Sequence, residues 1–185
     1  MKKHLITACL YTLITAVGLG LVYPAVITGI SKLAFRDNAD GQLIRHNGKL
    51  IGSRIIGQPF TGPGYFHSRP SAAGLGYDAS ASSGSNLAPT NKALPDRVAA
   101  SVAKEKDGAD VPVDLVTTSA SGLDPDISPE TAFYQVDRVA KECHLSPETV
   151  RRLVERFITP RQFGLLGEPR VNVLQLNLAL HQIVR

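Results

Sequence analysis

The chain has 185 residues and a formal net charge of +4, with no run of lysine and arginine interleaved with aromatics, so a nucleic-acid partner is not expected. Its two cysteines stand at Cys9, inside an apolar run, and at Cys143, far along the polar part, so an intrachain disulfide is implausible on geometry. The sequence has no GxxxxGK[ST] phosphate loop, GxSxG elbow, CxxC pair or HExxH helix. Its five histidines show no ligand spacing, so no metal of its own is expected.

Residues 1–4 are a short basic start, Met1-Lys2-Lys3-His4, and 5–30 follow without one charged side chain. At a rise of roughly 1.5 Å per residue that run makes a helix of about 39 Å, enough for a hydrocarbon core of about 30 Å. A cleaved secretory signal is the competing reading, with small residues at Ala16 to Gly20. The apolar residues continue past those sites through Leu21, Val22, Ala25, Val26, Ile27 and Ile30, which favours a retained transmembrane helix. Lys2 and Lys3 favour a cytoplasmic amino terminus, which places residues 31–185 outside the cytoplasm as one soluble domain. Ala8, Thr12, Ala16 and Gly20 recur every fourth residue and form a stripe of small side chains. It suits either a partner helix or the ordinary composition of a membrane span. Pro24 is expected to kink or end the helix.

Beyond the helix, Gln42 to Gln58 reads as β structure with a two-residue turn at Asn47-Gly48, a pair suited to positive φ. Residues 61–89 are rich in Gly, Ser, Ala and Pro, a linker composition. They also hold Tyr65, Phe66, Arg69 and Tyr77, large groups that suit an ordered, functional loop. A helix is expected from Thr90 to Lys106 and a short strand from Val113 to Thr117. Ser128-Pro129 and Ser146-Pro147 each place an N-cap before a proline at the first helical position. The helices they open carry apolar faces at Ala132, Phe133, Val136, Val139 and Ala140, and at Val150, Leu153, Val154 and Phe157. Val171 to Val184 closes the chain as a helix. The fold class is α+β: one N-terminal transmembrane helix followed by a small soluble α+β domain.

Ser119-Ala-Ser121-Gly122-Leu123-Asp124-Pro125 is either a loop that offers backbone N–H groups to an anion or strand-to-helix punctuation; the composition favours punctuation. Arg138, Lys141, Arg151, Arg152 and Arg156 read as a solvated basic face. Ser101-Val-Ala-Lys104 matches the SxxK pattern of penicillin-recognising enzymes, a short pattern expected by chance in a chain this rich in Ser and Ala.

Seven motifs then come in one order. They are Gly52-Ser53; Ile56-Gly57-Gln58-x-Phe60; Gly64-Tyr65-Phe66-His67-x-Arg69-Pro70-Ser71-Ala72; Ser83-Gly84-Ser85-Asn86-Leu87; Ser121-Gly122-Leu123-Asp124; Arg138-Val139-Ala140; and Gly167-Glu168-Pro169-Arg170-Val171-Asn172-Val173-Leu174-x-Leu176-Asn177. This series resembles the C subunit of the Kdp-type potassium-transporting P-type ATPase over nearly the whole chain. The resemblance implies a non-catalytic accessory subunit of a high-affinity, ATP-driven potassium uptake complex in the bacterial inner membrane. It implies three partners besides the lipid bilayer: a potassium-selective channel-like subunit, a P-type ATPase subunit and a small single-span subunit. It also implies a catalytic chaperone that raises the ATP affinity of the hydrolysing subunit.

Direct ATP contact through Ser119, Ser121, Gly122 and Asp124 conflicts with a domain outside the cytoplasm, unless the orientation is reversed. Otherwise the ATP effect travels through the membrane helices. Tyr65, Phe66 and Arg69 are the expected partner contacts of the soluble domain. Two other classes stay open: a membrane-tethered periplasmic small-solute binding module, and a tethered hydrolase using Ser101 or a serine in 82–85. The chain lacks the DKTGT phosphorylation sequence and a TVGYG-like filter, so it is itself neither pump nor pore.

Overall fold

The computed structural model describes residues 1–106 and 109–184. Its contacts divide into two units, Met1–Leu50 and the chain from Ile51 onward.

The first unit is dominated by one helical run, Lys2–Ala34, of 33 residues, which at the α-helical rise is about 50 Å long. None of its residues is buried within the chain, which suits a helix of membrane-spanning length. Thr7 and Thr15 donate their hydroxyls to the carbonyls of Lys3 and Tyr11, at 2.9 and 2.8 Å, so these polar groups are satisfied inside the helix. Pro24 does not end the helix. The turn before it, Gly18–Val22, is wound wider than the rest, and the Tyr23 amide donates to the Gly18 carbonyl five residues back. That extra residue accommodates a proline ring and its missing N–H. Ala8, Thr12 and Ala16 lie on the regular stretch Lys2–Val17, whereas Gly20 lies in the widened turn, out of their four-residue register.

After the short helix Arg36–Ala39, strands Leu43–His46 and Lys49–Ser53 form a two-stranded sheet. Asn47 and Gly48 turn between them with φ of 50° and 78°, the pair of positive values that a tight hairpin uses.

The second unit is built on a three-stranded antiparallel sheet in the order Asp126–Ile127, Arg170–Asn172, Ile158–Thr159. The central strand pairs Val171 with Ile127 on one side and with Ile158 on the other. Helices Pro129–Tyr134, Val136–Glu142, Pro147–Phe157 and Val173–Val184 pack around it, and their faces supply Ala132, Val136, Val139, Val150, Val154, Leu176 and Leu180 to one core. Both serine caps form. Ser128 Oγ accepts from the Thr131 amide and Ser146 Oγ from the Thr149 amide, each at 3.2 Å. Asn172 Oδ1 accepts from the Gln175 amide at 3.1 Å and so opens the closing helix, which begins at Val173; residues 170–172 are strand.

Two expectations need correction. Val113 to Thr117 is no strand: Val113–Leu115 forms a single tight turn, because Asp114 turns inward to accept from the Ser128 amide at 2.8 Å and from the Thr131 hydroxyl. The apolar stretch from Ala132 to Ala140 is two helices broken at Gln135, whose buried side chain bonds to the Thr131 carbonyl and to the backbone of His67.

Candidate functional site

The stretch that reads as a linker is part of the core. Phe66 is fully buried, and the backbone around it is held by two carboxamides distant in sequence. The Phe66 amide donates to Asn177 Oδ1 at 2.8 Å, and Asn177 Nδ2 donates to the Phe66 carbonyl at 3.0 Å. One residue on, the His67 amide donates to Gln135 Oε1 at 2.7 Å and Gln135 Nε2 returns to the His67 carbonyl at 3.2 Å. Each carboxamide presents one donor and one acceptor, as a neighbouring strand would, so the loop satisfies its backbone without joining a sheet. Arg138 adds bonds to the carbonyls of Pro63 and Tyr65 and to Gln135 Oε1; it is a brace for the loop rather than part of a solvated basic face.

This bracing shapes a cavity of about 230 Å³ lined by Phe60, His67, Arg69, Tyr77, Ser101, Lys104 and Glu105, among others. Ser101 and Lys104 come from the helix Ala93–Glu105 and His67, Arg69 and Tyr77 from the loop. His67 Nδ1 lies 3.2 Å from Glu105 Oε2, and its Nε2 lies 3.1 Å from the Gly62 carbonyl. The hydrogen bond from His67 holds the Glu105 carboxyl below its usual range. Burial raises the Tyr77 phenol, whose hydroxyl donates to the Arg69 carbonyl. The Arg69 guanidinium makes only long bonds, at 3.3 Å to Asp124 Oδ2, 3.3 Å to Thr117 Oγ1 and 3.4 Å to the Thr118 carbonyl. Its buried Nε has no partner among the described residues. The cavity therefore carries Arg69 and Lys104, the Glu105 carboxylate and several hydroxyls beside an apolar wall, a lining suited to a small polar solute.

The residues singled out in the sequence separate here. Tyr65 is partly exposed and tilts against Phe60, with ring centroids 5.9 Å apart. Arg69 faces the cavity and the 117–124 segment. Phe66 differs from both: its ring is fully buried in the core.

The 119–124 loop is held by its own hydroxyls and by a neighbouring loop. The Gly122 amide donates to Ser119 Oγ at 2.9 Å and the Leu123 amide to Ser121 Oγ at 3.1 Å. Asp124 accepts from the Asp126 amide and from Arg69, while the Gly122 carbonyl accepts from Ser71. A Cβ at Gly122, where φ is +66°, would stand 2.6 Å from the Ser83 carbonyl oxygen and 2.7 Å from the Ala73 amide. The Gly122 and Leu123 amides are thus engaged, and the space beside Gly122 is filled. Ser119, Ser121, Gly122 and Asp124 share these bonds, which dock one loop on another as punctuation would.

Sequence reasoning leaves Gln135 unmentioned and gives Asn177 no role beyond closing the seventh motif. Each is a polar residue flanked by core apolar positions, Gln135 before Val136 and Asn177 after Leu176, and that placement was the available signal.

Fold and site together define a class: a small α+β unit, with a braced internal loop, in a chain that opens with one helix of membrane-spanning length. Residues 5–182 match the family described as K+-transporting ATPase, c chain. The chain is 60% identical over 183 residues to the potassium-transporting ATPase KdpC subunit of Koribacter versatilis, covering 97% of this chain and 95% of the relative. It is 61% identical over 182 residues to that of Acidobacterium capsulatum, covering 98% and 99%. It is 55% identical over 177 residues to that of Burkholderia cenocepacia, covering 92% and 91%. The chain belongs to the family of K+-transporting ATPase c chains.

Proposed function

We propose that the chain is a non-catalytic accessory subunit of an ATP-driven potassium uptake complex, anchored in the bacterial inner membrane by the helix Lys2–Ala34 with its α+β unit in the periplasm. The observation that carries this reading is the family match over residues 5–182 in a chain whose only long apolar helix among the described residues begins at Lys2. Its partners are a potassium-selective channel-like subunit, a P-type ATPase subunit and a small single-span subunit, whose assembly it supports. It raises the ATP affinity of the hydrolysing subunit through the assembled complex; the engaged amides of Gly122 and Leu123 speak against direct nucleotide contact. The stripe of Ala8, Thr12 and Ala16 suits close helix packing with a partner span.

The test is co-purification of the tagged full chain from native membranes in mild detergent, with identification of partners and ATP titration of the complex with and without this chain. Recovery of a P-type ATPase and a channel-like subunit, with a higher KM for ATP when the chain is omitted, supports the reading. Recovery of the chain alone, under conditions that keep other membrane complexes intact, overturns it.

A second reading, a membrane-tethered periplasmic small-solute binding module, is favoured by the cavity at Arg69. Thermal shift of the full chain with a panel of amino acids and small carboxylates decides it: no shift across the panel removes that reading.

A further inference from the structure

One segment of the second unit stands apart from everything around it. Residues 159–168 are exposed without interruption, yet they are ordered by their own bonds. Gln162 and Leu166 exchange amide-to-carbonyl bonds at 2.9 Å in each direction, the Leu165 amide donates to the Gln162 carbonyl at 3.1 Å, and Gly164 to Arg161 at 3.1 Å. Arg161 and Glu168 form an ion pair across the base. The ribbon that results carries an apolar tip: Phe163 is 95% exposed, Leu165 77% and Leu166 55%.

The tip is also strained. Phe163 has a φ of +55° and Gly164 one of +72°. Glycine or asparagine adopts the first value readily, whereas a bulky aromatic does so at a cost in stability. An aromatic ring held in water on such a backbone gains nothing from its own chain.

We propose that this ribbon is a docking finger whose ring and two leucines enter an apolar pocket on another protein subunit of the same transport complex. The proposal rests on the accessory-subunit reading above. Two observations favour a protein pocket over lipid. The finger is pre-organised, and a fixed aromatic anchor is what a shaped pocket rewards, whereas a bilayer demands no particular backbone. The one cation of the segment, Arg161, is paired with its one anion, Glu168, so the finger has no basic face for anionic headgroups.

The sequence has no tryptophan, so Phe163→Trp in the full chain installs a single reporter at the tip. In the chain alone in detergent, its emission should be that of a water-exposed indole, freely quenched by acrylamide. In the assembled complex, emission should shift to the blue and acrylamide quenching should fall by at least about tenfold, with no quenching by brominated lipid. Unchanged emission in the complex, quenching by brominated lipid, or a blue shift in the chain alone (a self-contact) would each overturn the proposal. A second variant, Phe163→Ser, should leave the melting temperature of the chain unchanged while lowering recovery of partner subunits by about tenfold or more. Full recovery with Phe163→Ser removes the finger and leaves the accessory reading standing. If the wild-type chain recovers no partner, both fall.

Discussion

Two phenylalanines, Phe66 and Phe163, sit in segments of similar texture, each with two glycines close by in sequence and lying outside regular helices and strands, and they end in opposite places. Phe66 has no exposed surface, whereas Phe163 is almost entirely in water. The difference lies in what the rest of the chain offers. Asn177 and Gln135 give the loop around Phe66 two substitutes for strand partners, whereas the bonds of residues 161–168 run within that segment. Composition reports how freely a backbone bends. Whether a loop is core or surface is decided by which distant side chains can satisfy its amides and carbonyls.

Exchanging each ring for a small side chain breaks that comparison most sharply. Phe66→Ala should cost about 3–5 kcal/mol by emptying the core, and Phe163→Ala should stay within about 0.5 kcal/mol. Denaturant titrations of the full chain in detergent, followed by circular dichroism, measure both. Equal effects would mean that the loop does not belong to the core. Asn177→Ala comes next, at about 2–4 kcal/mol, because it removes two bonds and leaves the Phe66 amide and carbonyl buried without partners. Limited proteolysis should then cut between residues 61 and 89 while the fingertip is cut at its original rate. Gly122→Ala should cost about 2 kcal/mol, since its φ of +66° and the closeness of Ser83 and Ala73 leave no room for a methyl group.

The smallest expected effect is on pH. Glu105 titrates below its ordinary value because His67 bonds to it, so the folded state favours the carboxylate. That stabilisation is present above the unfolded carboxyl value, about pH 4.5, and is lost as pH falls through the lower folded value. Melting temperature should therefore drop on acidification through that window, and Glu105→Gln should flatten this part of the profile without altering accessibility at Phe163.

What was legible in the sequence follows the same division. The long apolar helix, the Asn47-Gly48 turn and the caps at Ser128 and Ser146 depend on neighbours in sequence, and each was read correctly. Val113 to Thr117 has the β-branched content of a strand, but Asp114 is drawn to the amide of Ser128, a partner outside its own stretch. Pro24 signalled a break, and the widened turn at Gly18–Val22 absorbed it. The site was the least legible part. Asn177, Gln135 and Arg138 act on a loop that lies 68 or more residues away in sequence, and local pattern cannot register such contacts.

Hydrogen exchange at the amides of Phe66, His67, Gln162 and Leu166, in the full chain alone and in the assembled complex, tests the account most directly. Phe66 and His67 should exchange as slowly as the core helices in both preparations. Gln162 and Leu166 should exchange much faster in the chain alone and slow only in the complex. Rapid exchange at Phe66 and His67, at the rate of an unstructured linker, would contradict it.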